Sequence, residues 1–344
     1  MKHKAGGEFP KIRRLGFLII VVTVIILTIT KGEQWLRRFL IYLSHAVWAR
    51  QLVSSLPIAK QVARRFVAGE TIGEAMNAAS KLNKQGMDVT LDYLGESVTD
   101  AQEAEAARDE IVRLLEQIYL LELDANVSVK LTQLGLRIDK KIALDNMRLI
   151  LERALLYENK VRIDMEESDL VDNTLDLFRT LRDQDGYNNV GVVIQSYLFR
   201  SESDVRQLIK EGAWVRLCKG AYAEPTNIAF PDKADTDESY VELTKLLLSP
   251  EAQDKGVYLG IATHDEKMID AALRYANSQE ISKKKYEFQM LYGIQRDLQA
   301  SLVGQGYQVR IYVPYGTAWY PYLVRRLAER PANLWFFVSN LFKR

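Results

Sequence analysis

The chain has 344 residues, 48% of them hydrophobic, which is enough for one large core or two domains. A formal net charge of +1 gives no electrostatic reason to bind nucleic acid. A single cysteine, Cys218, excludes an internal disulfide and a cysteine zinc cage, and His3, His45 and His264 are too scattered for a histidine metal site.

Residues 1–34 form a basic and apolar N-terminal extension. Lys2, Lys4, Lys11, Arg13 and Arg14 precede an almost unbroken apolar run over residues 15–30. A membrane span needs about 20 residues, so the run is slightly short, and no small-residue cleavage site follows it. Three readings stay open: an uncleaved membrane anchor, a start site placed too far upstream with translation beginning near Leu36, or a buried core segment. Lys31, Arg37 and Arg38 follow the run, and this flanking charge leans weakly against a cytoplasmic catalytic domain. Orientation stays open on these grounds.

Residues 35–87 read as a helical region, with helices over 35–54, near 58–67, and over 71–85, the last opened by Thr71 and Glu74. The basic amphipathic stretch from Trp35 to Arg50 suits a bilayer surface or packing on a neighbouring domain equally well. A regular rhythm follows. Strand-like segments fall at 88–95, 126–135, 161–166, 190–198, 215–222, 257–265, 286–293 and 309–316, with helical patterns between them. Strands alternating with helices mean parallel βαβ units, so the fold class is α/β. Eight units predict a (β/α)₈ barrel of the TIM type over residues 88–330, near the typical size of about 250 residues. No G-x-G-x-x-G follows the first strand, which argues against a Rossmann domain. Residues 331–344 read as a last, aromatic helix.

Catalytic groups of such barrels sit at the C-terminal ends of the strands. Here those ends carry Asp92 and Glu96, then Lys130, Asp164 and Glu166, and Gln195 with Tyr197. Arg216, Lys219 and Tyr222 follow, then Thr263, His264 and Asp265, Gln289 and Tyr292, and Tyr312. Lys130 and Asp164 lie on adjacent strands and can pair. After the eighth strand, Tyr322, Arg325, Arg326 and Glu329 share one helical face. Two adjacent arginines clamp a carboxylate in a planar, bidentate way that lysines cannot, and Trp319, Tyr320 and Tyr322 before them read as a pocket wall. The surplus of cations suits an anionic cofactor together with an anionic substrate. No metal cluster, P-loop or G-x-S-x-G is present.

The segments VKLTQLG, RIDME, VVIQSY, VRLCKGAY, IATHDE, FQMLYG, RIYVPYG and YLVRRLAER, in this order, closely resemble the FAD-dependent proline dehydrogenases of the monofunctional bacterial type. The resemblance covers about residues 36–344. It implies a distorted (β/α)₈ barrel that binds FAD non-covalently and oxidises L-proline to Δ1-pyrroline-5-carboxylate. It further implies that electrons pass to a membrane quinone, with peripheral or anchored association on the cytoplasmic side of the membrane. For the substrate, the resemblance implies Arg325 and Arg326 at the proline carboxylate, Lys130 and Asp164 lining the site, and Tyr312, Tyr322 and Leu291 as its walls. Tyr312 would favour proline over hydroxyproline. Glu329 would hold the arginines, and Glu96 would act as a gate by pairing with Arg325. For the flavin, it implies Arg216 near N5, Gln195 and Met165 at the ring, and Lys219, Gly220, Ala221, Thr263 and His264 at the phosphate and ribose. Asp164 and Arg216 would be the catalytic pair.

Two rivals belong to other classes. One is an aldolase-like barrel using Lys130 or Lys219 as a Schiff-base nucleophile, which needs an apolar setting for that lysine. The other is a membrane-tethered module that captures an amino acid without turning it over.

Overall fold

The computed structural model describes residues 63–95 and 98–329, with Ala46 and Trp48, and side chains as far as residue 324. The predicted helices at 35–54 and 331–344 and the apolar run at 15–30 therefore lie wholly or mostly outside the described residues; of the helix expected near 58–67, residues 63–67 are described, and the chain leaves the helix after Ala63 in a turn. The chain divides into a compact unit Arg64–Trp319 and a second unit made of Met1–Ala63 and Tyr320–Arg344.

The first unit is a closed parallel barrel. Its strands are β1 (Asp88–Tyr93), β2 (Ala125–Val129), β3 (Val161–Ile163), β4 (Val190–Gln195), β5 (Trp214–Cys218), β6 (Tyr258–Ala262), β7 (Tyr286–Leu291) and β8 (Val309–Tyr315). They pair in chain order, and β8 closes on β1. Helix α1 (Ile72–Asn83) precedes the barrel. The helices between strands are α2 (Ala101–Leu120), α3 (Lys140–Leu156), α4 (Val171–Arg179), α5 (Ser201–Lys210), α6 (Lys233–Leu247), α7 (Pro250–Asp254), α8 (Glu266–Ser278) and α9 (Arg296–Gly304). The second unit carries α10 (Trp319–Glu329), which begins on the last residue of the first.

The expected (β/α)₈ architecture is thus present, with every strand inside or within a residue of its predicted segment. The predicted strands run on too far at their C-terminal ends. The largest excess is at β2, read to residue 135 and ending at Val129. From Lys130 the chain turns back on itself, with Gln133 N donating to Lys130 O at 3.1 Å and Leu136 N to Leu131 O at 2.9 Å. Leu131 and Leu134 are buried there, so the apolar spacing continues past the point where the ladder stops.

The strand residues sort onto two faces by their period of two. Val89, Leu91, Val127, Val129, Val161, Ile163, Val192, Ile194, Val215, Leu217, Leu259, Ile261, Phe288, Met290, Ile311 and Val313 belong to one continuous apolar core with the helices. Each such side chain contributes about 1.5–3 kcal/mol by its burial. The alternate set holds Asp92, Ser128, Arg162, Arg216, Glu287, Gln289, Arg310 and Tyr312. Arg216 on β5 bonds Ser128 on β2 and Gln289 on β7. Neither strand is a neighbour of β5, so these side chains meet across the lumen. The interior is charged where branched aliphatics usually fill a barrel of this kind.

Thr71 and Glu74 do open α1, as a reciprocal capping box. Glu74 N donates to Thr71 Oγ1 at 3.3 Å, and the Glu74 carboxylate accepts from the backbone N–H of Thr71 at 3.3 Å and of Glu70 at 2.8 Å. Thr71→Ala is expected to cost about 1 kcal/mol, read as a lower urea midpoint with an unchanged slope. An unchanged midpoint would mean that the box adds nothing to stability.

Candidate active site

The site is built where the lumen opens at the C-terminal ends of the strands. Asp92, near the end of β1, is fully buried. Lys130 comes immediately after β2, and its Nζ donates to both Asp92 oxygens, at 3.0 and 2.9 Å. The expected pairing with Asp164, immediately after β3, is present at 3.5 Å. Asp92 is nevertheless the closer partner of the lysine. Asp164 in turn accepts from Arg216 Nη1 at 2.8 Å and from the Tyr312 hydroxyl at 2.7 Å. Lys130 Nζ reaches the Tyr312 oxygen at 3.4 Å, and the Arg216 guanidinium lies 5.1 Å from the centre of the Tyr312 ring. The structure therefore brings together Asp92, Lys130, Asp164, Arg216 and Tyr312 from five strands.

The two carboxyls flanking Lys130 are driven apart in acidity. Burial pushes Asp92 up and outweighs the pull of Lys130, with Asp164 adding to the rise. Burial acts on Asp164 as well, but there Lys130 and Arg216 together outweigh it and hold the carboxyl below its ordinary value. Burial, reinforced by Asp164, pushes the Tyr312 phenol well up. The phenol stays protonated and serves as a donor to Asp164.

The residues expected on the flavin side lie around the same mouth. Gln195 ends β4, and its Nε2 donates to Met165 O at 3.4 Å. Its Oε1 is buried without a partner among the described residues, and so is Arg216 Nη2. The cluster thus leaves one donor and one acceptor for a ligand. Lys219, just past β5, donates to Asp237 at 2.5 Å and Asp265 at 2.8 Å. Gly220 has φ of +111°, and a Cβ there would lie 2.4 Å from the Tyr197 ring, so the chain can take this path only as glycine. Ala221 follows it in the same loop. Thr263 Oγ1 accepts from Asp265 N at 3.0 Å. His264 Nε2 accepts from Leu291 N at 3.0 Å, which places the ring proton on Nδ1.

Along α10, positions 322, 325, 326 and 329 share one face by helical spacing. Glu96 and the side chains of Arg325, Arg326 and Glu329 lie outside the described residues. Among the described residues no group of His, Cys, Asp or Glu could hold a metal ion. Both lysines of the aldolase-like alternative face two carboxylates each, Asp92 and Asp164 or Asp237 and Asp265, rather than an apolar setting. Sequence reasoning placed Asp92 at the mouth but missed its grip on Lys130. It also gave no role to Ser128 or Gln289, both bonded to Arg216.

Residues 75–338 match the family model described as "Proline dehydrogenase". The chain belongs to the proline dehydrogenase family. It is 38% identical over 308 residues to Proline dehydrogenase 2 of Bacillus subtilis, covering 90% of this chain and 99% of that one. It is 41% identical over 285 residues to Proline dehydrogenase of Deinococcus radiodurans, covering 82% and 90%. A crystal structure of proline utilization A (PutA) from Bdellovibrio bacteriovorus, inactivated by N-propargylglycine, superposes with a TM-score of 0.73 at 30% identity. That match covers 79% of this chain and 33% of the longer one. The chain thus spans nearly the whole length of these two proline dehydrogenases.

The lowered pKa of Asp164 makes the stability of the fold depend on pH. Its ionised form is favoured in the folded state, so the stabilisation is complete above the ordinary value of 3.8 and is lost as pH falls through the lower folded value. Asp164→Asn is therefore expected to be less stable by about 3 kcal/mol near neutrality. In urea unfolding from pH 7 to pH 3, its disadvantage should shrink only at the acid end. A disadvantage independent of pH would show that the carboxylate's charge is not what stabilises the site.

Proposed function

We propose that this enzyme oxidises L-proline to Δ1-pyrroline-5-carboxylate with non-covalently bound FAD and passes the electrons to a membrane quinone. Proline oxidation in proline catabolism is the reaction of the family to which the chain belongs. The observation that carries the finer reading is the charged cluster at the barrel mouth, where Arg216 Nη2 and Gln195 Oε1 are buried without partners among the described residues. An isoalloxazine edge offers both ring nitrogen and carbonyl acceptors and an N–H donor. These complement the donor at Arg216 Nη2 and the acceptor at Gln195 Oε1. FAD, when bound, supplies the acceptor for the hydride that leaves proline C5.

The chain's own residues do the rest. Arg325 and Arg326 clamp the proline carboxylate, as the family resemblance implies, and fix the ring in one pose. Glu329, one helical turn further on, holds the arginines. Glu96 closes the site by pairing with Arg325. Leu291, Tyr312 and Tyr322 wall the ring. Asp164, kept ionised by Lys130 and Arg216, places a fixed negative charge beside the ring nitrogen, where positive charge develops as C5 loses hydride. The nitrogen also loses its proton; Asp164 is too acidic to be an efficient base for it near neutral pH. Arg216, Gln195 and Met165 take the flavin ring. Lys219, Gly220, Ala221, Thr263 and His264 take its phosphates and ribose, with Lys219 exchanging a carboxylate partner for phosphate.

Delivery to quinone places the enzyme at the cytoplasmic face of the membrane, peripheral or held by its N-terminal extension. Among the described residues no helix is long and apolar enough to cross a membrane, and residues 15–30 lie outside them.

The decisive experiment is the visible spectrum of the purified protein before and after L-proline is added without oxygen. Flavin bands that bleach with proline are expected. A protein that stays colourless and inert after FAD is supplied would bring the binding module forward. For the clamp, Arg325→Met should raise the proline KM by about 100-fold, the loss of a charge-assisted pair, with flavin content unchanged. An unchanged KM would remove Arg325 from the carboxylate site.

A further inference from the structure

We propose that Glu287 and Gln289 form a positioning relay, in the lumen beneath the mouth, that sets the orientation of the Arg216 guanidinium. The inference rests on the reading of Arg216 as the group nearest the flavin. Gln289 Oε1 accepts from Arg216 Nε at 2.5 Å, and Gln289 Nε2 donates to Glu287 Oε1 at 2.5 Å. Only one orientation of the amide satisfies both contacts, because a guanidinium has no acceptor and a carboxylate no donor. A flipped amide would set its N–H₂ against Nε–H and its carbonyl against the carboxylate.

The lower end of the relay is firmly held. Arg310 Nε donates to both Glu287 oxygens, at 2.9 and 3.0 Å, and the Tyr258 hydroxyl reaches Glu287 Oε2 at 3.2 Å. Arg310 is anchored in turn by Val89 O at 2.9 Å and Asp88 at 3.0 Å. Burial pushes the pKa of Glu287 up, but Arg310 outweighs it and holds the carboxyl below its ordinary value. Packing fixes the amide as well. A Cβ at Gly260 would lie 2.4 Å from Gln289 Nε2, so the glycine on β6 is what lets that side chain stand in the lumen. With Nε committed to Gln289 and Nη1 to Ser128 and Asp164, the guanidinium plane is set, and Nη2 has no partner among the described residues. Glu287 touches neither the mouth cluster nor any proposed ligand position, so its part is positioning.

Gln289→Met keeps the side-chain length and removes both polar atoms. The expected result is a kcat lower by about 10-fold or more with the proline KM within about twofold, and a lower flavin midpoint potential. A second readout needs neither turnover nor flavin. In the ¹⁵N-labelled full-length protein, the Arg216 Nε–H resonance, assigned by its loss in Arg216→Lys, should exchange with solvent about 10-fold faster or more in Gln289→Met. Glu287→Gln should speed the same exchange. The double variant Glu287→Gln/Gln289→Glu, which returns a carboxylate acceptor to Arg216, should recover the protection, and it decides the point if the single variant does not fold. Unchanged exchange and kcat in Gln289→Met, even with a lowered Tm, would overturn the relay and leave Gln289 as core packing. A wild-type protein that proline does not bleach would overturn the parent reading alone, and the exchange measurement would still judge the relay.

Discussion

The structure depends on charge neutralisation inside a closed barrel. Asp92, Lys130, Asp164 and Arg216 at the mouth, and Glu287 and Arg310 below them, are shielded from water by the strands. An isolated charge in such a place is prohibitively costly, and only close pairing with further hydrogen bonds makes it tolerable. Each of these groups meets that condition through a partner on a different strand. Removing one member leaves its partner buried and uncompensated, which costs more than the pair itself contributes. The barrel's registration is thereby tied to the site's chemistry.

Stability must then come from elsewhere. It is supplied by the outward face of the strands, where Val, Leu and Ile side chains meet the helices in one continuous core. This division of labour differs from a barrel whose lumen is itself a packed apolar core. It lets the interior carry a fixed electrostatic arrangement held by the strands themselves. Arg162 marks the limit of the arrangement. It is fully buried, stacked 3.7 Å over the Trp214 ring, with Nε and Nη2 lacking partners among the described residues. Burial, with Arg216 adding repulsion, pushes its pKa well down. Its charge is stabilised by the aromatic face and by the more distant Glu287 rather than by a contact ion pair.

Much of this was legible in the sequence, for reasons that differ by residue. The eight strands were readable because their outward faces alternate cleanly, and the Thr71–Glu74 cap because its signal is local. Strand ends were not, because Leu131 and Leu134 continue an apolar spacing through a turn. The mouth residues were found from their position after apolar runs. Their partners were harder to assign. Lys130 has a carboxylate on each flanking strand, and nothing in the spacing says that Asp92, rather than Asp164, is the closer. Arg216 and Gln289 are 73 positions apart, and only barrel closure makes them neighbours.

The same closure explains why polar residues that sequence analysis passes over can matter most. Glu287 lies within an alternating strand segment and reads as an ordinary exposed position. In a closed barrel the alternate face is no more open to water than the apolar one. A charged residue there needs a counter-charge or an aromatic face inside the lumen, as Glu287 has in Arg310 and Arg162 in Trp214, and that partner is part of any account of the site above it. Arg216 is the point where the two levels join: Asp164 and Ser128 hold it from the mouth, and Gln289 holds it from below. Its orientation is a property of the whole barrel, so a change several strands away can alter the chemistry without touching a ligand.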